Sequence, residues 1–346
     1  MSEIVKPRKT KRLRTWSALG NLGRVPTEYE IATHDLNYTV RDGRSSALES
    51  NPTTPANMWY LTYRDKSPLQ VEDWNGFRDP DELTYRKYVT LQDEQETVVE
   101  GVLDEFGAIE HDAGLASDWI TLLGTVFTPL RYPTHGLQMC SAYLGQIAPS
   151  SYITNAAVFA TGDLLRSVSL VAYRTRQLQQ AHPDAGFGTS EREIWERHPS
   201  WQPARKAVEK ALITYDWAEC LTAVNLVLRP TLDDVLLRQL STLAHANNDD
   251  LSWLLLSNLA IDAERCARWS AAVARFAVAE RPENAAVLRR WVDRWTPVAD
   301  EAAAALGELL QGLPPVGRDA QAVADSAAVA RQRVLADAGI TVLAQR

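Results

Sequence analysis

From about residue 82 to the end of the chain, apolar residues recur at the three-to-four-residue spacing of amphipathic helices. The pattern predicts helices over 82–111, 115–146, 150–182, 203–228, 231–247, 249–280, 283–296, 298–311 and 319–345, with a short helix or connector over 195–201. Ser117 or Asp118 is a cap for the second of these, and Pro129 and Pro133 predict a kink inside it. Ala148-Pro149-Ser150-Ser151, His182-Pro183 with the Gly186/Gly188 loop, and Leu313-Pro314-Pro315 are breaks. Alternating strand patterns are almost absent, so the fold class is all-α. Stretches such as 169–172, 211–213 and 251–261 are apolar around much of the helix circumference. Helices of that kind are buried on several sides, which predicts an inner four-helix bundle wrapped by further helices.

The first 90 residues read differently. Residues 1–14 are basic and poor in apolar groups, a solvated tail or an arm that lies on a partner. Residues 15–90 lack helical periodicity and carry the breakers Asn51-Pro52, Pro55, Ser67-Pro68 and Asp79-Pro80. They are nevertheless dense in aromatics, including Trp16, Tyr29, Tyr38, Trp59, Tyr60, Tyr63, Trp74 and Phe77. Disordered segments are aromatic-poor, so this segment is expected to be ordered by packing, part of it on another chain. Trp16, Trp59, Tyr60, Tyr63, Arg64 and Trp74 are the expected partner contacts. The organisation is an extended arm and contact segment over 1–90, a helical domain over 91–312, and a C-terminal helix or tail over 313–346.

Composition narrows the class further. A formal charge of −8 and a pI near 5.4 argue against nucleic-acid binding. Cys140, Cys220 and Cys266 are an odd number at wide spacing, as expected of reduced thiols in a cytoplasmic protein. No apolar run reaches the roughly 18 residues of a spanning helix, so no membrane partner is expected. Phosphate-cradling loops, nucleophile elbows and zinc spacings are missing; Gly20-Asn21-Leu22-Gly23 is too short to count. His135 reads as a buried, hydrogen-bonded core histidine. Glu110-His111-Asp112 reads as a solvated or interface cluster, because adjacent residues diverge on a helix.

Two five-residue segments carry the decisive information: Asp163-Leu164-Leu165-Arg166-Ser167 and Asp262-Ala263-Glu264-Arg265-Cys266. Each resembles the Asp-Glu-x-Arg-His segment that bacterial multicomponent monooxygenases carry twice in their catalytic subunit, where the Glu and His project inward as iron ligands. Here the Asp and Arg remain, but Leu164 and Ala263 stand at the glutamate positions and Ser167 and Cys266 at the histidine positions. Leu and Ala have no lone pair for a metal. Further matches follow in order: Met58-Trp59-Tyr60, Tyr63-Arg64, Ser67-Pro68-Leu69, Pro129-Leu130-Arg131-Tyr132, Ala172-Tyr173-Arg174-Thr175, Tyr215-Asp216-Trp217 and Arg268-Trp269-Ser270. Over about residues 14–300 the chain resembles the β subunit of the hydroxylase of these monooxygenases, in the toluene, alkene and isoprene group.

The resemblance implies a ferritin-like helical bundle whose di-iron site has degenerated, and no cofactor in this chain. It implies a di-iron centre in a partner α subunit, a small γ subunit, an (αβγ)2 assembly, and an effector protein and a ferredoxin/reductase acting on the complex. It implies hydroxylation or epoxidation of an aromatic or alkene hydrocarbon with O2 and NADH-derived electrons. Asp163, Arg166, Asp262 and Arg265 are then either remnants of groups that once oriented histidine ligands or a structural polar cluster pairing across the bundle; the second reading is preferred. The alternative is a self-sufficient helical enzyme with an unrecognised metal site.

Overall fold

Side-chain caps decide where the long helices begin. In the computed structural model, which describes residues 22–34, 55–311 and 317–340, Ser150 accepts from the backbone N–H of Ile153 and opens helix Ser151–Ala181. Asp249 accepts from Ser252 N and opens Asp250–Glu280. Two small elements come first, α1 (Glu28–Thr33), closed by a Thr27/Glu30 capping box, and α2 (Pro55–Tyr60), which runs on into a wider π turn over Leu61–Asp65. Then follow α3 (Tyr85–Ala108), a composite α4 over 117–147, α5 (Ser151–Ala181), α6 (Glu191–Arg197), α7 (Gln202–Leu212), a composite α8 over 217–246, α9 (Asp250–Glu280), α10 (Asn284–Gln311) and α11 (Ala320–Asp337). No strand occurs among the described residues. The basic arm, Trp16 and the Leu313-Pro314-Pro315 break lie outside them.

Prolines terminate fewer helices than their positions predict. Residues 203–228 and 231–247 were expected to be two helices divided near Pro230, but the division falls earlier, over 213–216. Asp216 makes it: its carboxylate accepts from Ala218 N and Glu219 N at 3.0 and 2.9 Å and restarts the chain as α8. Helix α8 then passes Pro230 because Thr222–Leu228 wind as a π turn, so the missing proline N–H falls where the hydrogen-bond ladder has already shifted. The prolines of α4 are absorbed in the same way, by a π segment at Leu123–Phe127 and a 3-10 turn at Thr128–Leu130. The expected break between 283–296 and 298–311 is also absent, and α10 runs through Pro297. Trp291, Val292 and Trp295 are buried before it and Ala299, Ala302 and Leu306 after it, which together outweigh the roughly 3 kcal/mol cost of an interior proline.

Short links make α4/α5 and α8/α9 two antiparallel hairpins, and the hairpins face each other as a four-helix bundle. Helix α8 is the innermost element: Leu221 to Leu232 are all buried. It is covered by α9, α10, α11 and the ends of α4 and α7. Helix α5 is long and apolar enough in composition to cross a membrane, although Asp163 and Arg166 interrupt its apolar run. In this fold it is a bundle helix packed along α4. Helix α3 lies outside the bundle, and only Val99 in its 24 residues is fully buried.

Residues 66–84 have no long helix but are firmly seated. Leu69, Phe77 and Leu83 are core residues, Ser67 donates to Asp216 at 3.0 Å, and Asn284 exchanges hydrogen bonds with the backbone of Gln70.

Candidate functional site

The two five-residue segments lie on α5 and α9, facing each other across the bundle. Arg265 NH2 donates to Asp163 at 2.6 Å across the gap and to Asp262 at 2.9 Å within α9. Arg166 reaches the other way, donating to Asp262 Oδ2 at 3.0 Å and to Asn258 Oδ1 at 2.5 Å, and it also pairs with Glu96. Asp163, Asp262 and Arg265 are almost fully buried.

A third helix completes the set. From α3, Tyr88 OH donates to Asp163 at 3.0 Å, Gln92 Nε2 to both Asp163 and Asp262 at 3.0 and 3.1 Å, and Gln95 Nε2 to Asp262 at 3.2 Å. Gly162 makes the approach possible, since a Cβ there would sit 2.5 Å from the Tyr88 hydroxyl. The spacing of 88, 92 and 95 is one face of a helix, but nothing in the sequence of α3 says which carboxylates that face meets.

Burial, then the neighbouring Asp262 charge, pushes the Asp163 carboxyl up to about 6, with Arg265 and Tyr88 pulling it down. Burial works against the charge of Arg265, but Asp163 and Asp262 outweigh it and its pKa is raised.

The four substituted positions do not supply a metal-ligand set. Leu164 and Ala263 are buried and carry no donor atom. Ser167 spends its hydroxyl on the Asp163 carbonyl at 3.0 Å. Cys266 is buried, its thiol pushed up by desolvation, with only Ser270 Oγ nearby at 3.9 Å. Three arginines, Arg166, Arg229 and Arg265, place positive charge around the same volume. These residues do not fit a di-iron centre, and no group of three or more His, Cys, Asp or Glu able to hold a metal occurs among the described residues. The volume is mostly filled: a cavity of about 20 Å³ remains at the meeting of α4, α5, α8 and α9, lined by Leu137, Leu164, Ser167, Arg229, Asp233 and Ala263 among others.

Two histidines differ from what the sequence predicts. His135 is exposed on α4, not a core residue. His111 is not part of a solvated cluster: its Nε2 lies 3.2 Å from Asp249, the fully buried cap of α9, which also accepts from Trp119 Nε1 at 2.8 Å. Burial opposes the Asp249 charge, but His111, Arg174 and Ser252 outweigh it and hold its pKa below the ordinary value. Asp112 pairs with the fully buried Arg174. Adjacent residues do diverge here, but both find interior partners.

Among the contact-segment aromatics, Trp59 is 38% exposed and donates to Tyr143 OH at 2.9 Å, with its ring against Tyr63 and Tyr215. Tyr60 bonds the Gln146 carbonyl, and Arg64 stacks over the Tyr60 ring. Trp74 lies edge-on to the buried Trp217 and tilts against Phe276.

This architecture and these substitutions can be set against known proteins. The family model for methane/phenol/alkene hydroxylases matches residues 59–281, more than half of the chain. The chain belongs to the methane/phenol/alkene hydroxylase family. Among curated relatives of this hydroxylase chain is the toluene-4-monooxygenase system hydroxylase component subunit beta of Ectopseudomonas mendocina, 42% identical over 87% of this chain and 91% of the relative. Among solved structures, a chain of toluene 4-monooxygenase with toluene bound in its resting active site is 40% identical, with a TM-score of 0.80 over 87% of this chain and 98% of that one. A chain of phenol hydroxylase from Pseudomonas sp. OX1 has a TM-score of 0.81 at 17% identity, covering 99% of this chain and 98% of that one. At that identity the likeness is one of fold.

Proposed function

We propose that this chain is the β subunit of a multicomponent monooxygenase hydroxylase, a non-catalytic scaffold for a catalytic α subunit that holds the di-iron centre. A small γ subunit completes the protomer in an (αβγ)2 assembly, and an effector protein and a ferredoxin/reductase act on it in the cytoplasm. The complex hydroxylates or epoxidises an aromatic or alkene hydrocarbon with O2 and NADH-derived electrons.

The observation that carries the proposal is the exchange at the bundle centre. Ligand positions have become Leu164, Ser167, Ala263 and Cys266, while Asp163, Arg166, Asp262 and Arg265 bond to one another. The cluster has a mechanical role. It is the polar seat of the first half of α3, whose apolar packing comes later, from Val99, Val102, Leu103 and Phe106. Tyr88 adds a ring stacked on Phe159 at 4.4 Å. Held there, α3 presents Tyr85, Val89 and Val98 outward, and α2 presents Met58 and Trp59. These exposed apolar groups suit a large subunit interface.

Iron assigned by anomalous scattering in the purified hydroxylase tests the first part. The expected result is iron in the α subunit alone, and near-stoichiometric iron inside this chain would overturn the reading. Hydrogen exchange tests the second: residues 55–65 and the outer face of α3 are expected to be slower in the complex than in the isolated chain.

A further inference from the structure

Beside Ala263 and Cys266, α8, α9 and α11 line a second cavity of about 30 Å³, with Asp233 and Arg238 also on its wall. Its wall on α8 is polar. Asn225 is 1% exposed, and neither its amide nitrogen nor its amide oxygen has a partner among the described residues. Arg229, one turn on and 3% exposed, has its Nε 3.3 Å from Asp233 Oδ2, but Nε and NH1 make no bond of hydrogen-bond geometry. Ala330 of α11 closes the opposite side. Burying so many unsatisfied donors and an acceptor is unfavourable unless something in the cavity bonds to them.

The groups define the guest. An apolar molecule leaves Asn225 and Arg229 unsatisfied. A cation meets the Arg229 guanidinium. An anion suits Arg229 and Arg238, whose charge is already shared with Asp233 and Glu264, but it has no proton to give the Asn225 oxygen. The guest must be small and uncharged, accepting from Arg229 and Asn225 Nδ2 while donating to Asn225 Oδ1. Water meets these terms, and the volume is room for about two such molecules. We infer that this cavity is a built hydration site, in which bound water bonds Asn225 and Arg229 of the central helix beneath the apolar cover of the C-terminal helix.

The test uses the assembled hydroxylase. A crystal structure at a resolution that shows ordered solvent is expected to place water within hydrogen-bond distance of Asn225 and Arg229, and a bromide soak is expected to leave no anomalous peak there. Bromide density, or an Asn225 amide bonded only to protein groups, would overturn the inference. A330V provides a second readout. Filling a dry apolar gap leaves Tm unchanged or raises it, whereas expelling bound water lowers it, by roughly 1–2 °C in a chain of this length. Adding N225L to A330V removes the orphaned amide and is expected to recover part of the loss. An A330V variant as stable as the parent would show the cavity to be dry.

Discussion

Two charged regions flank Ala263 at the centre of the bundle, and they are satisfied in opposite ways. On the α3 side, Asp163 and Asp262 each accept at least three hydrogen bonds, all from side chains of three different helices. On the α11 side, among the described residues, Arg229 has one imperfect ion pair and Asn225 has no partner. The difference comes from the helix that covers each. Helix α3 brings Tyr88, Gln92 and Gln95 inward, while α11 brings Ala330 and Val334. A buried charge is tolerated according to the side chains its neighbours can extend toward it, and here that depends on elements outside the bundle.

The comparison is broken most directly by R265A in the assembled hydroxylase. It leaves Asp163 and Asp262 facing each other without their shared cation, and the expected cost is about 3–5 kcal/mol at neutral pH. Replacing Asp163, Arg166, Asp262 and Arg265 together by apolar residues of similar volume is expected to cost much less. Denaturation midpoints of the two variants decide it. A loss below ~0.5 kcal/mol for R265A, the size of an ordinary surface change, would mean that the cluster is solvated.

The same pair has a pH signature. Asp163 titrates near 6 in the folded protein and near 3.9 when unfolded. The folded state therefore takes up this proton first, and the contribution of Asp163 to stability rises as pH falls from about 6 to about 4. D163N is expected to flatten that part of the stability profile, and the R265A loss is expected to be smaller at pH 5 than at pH 7. A D163N profile parallel to the parent over this range would contradict the assignment.

G162A is expected to be next in size, about 1–3 kcal/mol, because the new Cβ displaces the Tyr88 hydroxyl from Asp163. Hydrogen exchange should localise the effect to the first turns of α3. The smallest effect is expected on the other side of Ala263, where R229M leaves a carboxylate, Asp233, that is partly exposed and keeps Arg238 near it. About 1 kcal/mol, the net worth of an ordinary hydrogen bond, is the expected loss. A loss as large as that of R265A would show the two regions to be energetically alike.

Much of the fold was legible because its signals are local. Ser150 and Asp249 are capping residues before long periodic segments, and α5 and α9 begin where those residues place them. Pro230 and Pro297 misled because whether a proline ends a helix depends on burial around it and on slack elsewhere in the hydrogen-bond ladder, neither of which is local. In the site, the resemblance of the two segments to Asp-Glu-x-Arg-His singled out Asp163, Arg166, Asp262 and Arg265. It did not reveal Tyr88, Gln92 or Gln95, which come from a helix with no sequence link to the motifs. The i,i+4 pair Arg229/Asp233 left a weaker trace, as charges inside the apolar run from Leu221 to Leu240.

The position of α8 has a consequence for how the chain is made. Its covering helices include α9, α10 and α11, all of which are synthesised after it. As the chain grows from its N-terminus, this segment, rich in apolar residues, must wait for about a hundred further residues before these helices cover it, a delay of roughly 5–20 s at typical elongation rates. The stretch most protected in the finished molecule is therefore the one most open to misassociation during its synthesis. Shortening the C-terminal helix would prolong that exposure, so its effect on soluble yield should exceed its effect on the stability of protein that has already folded.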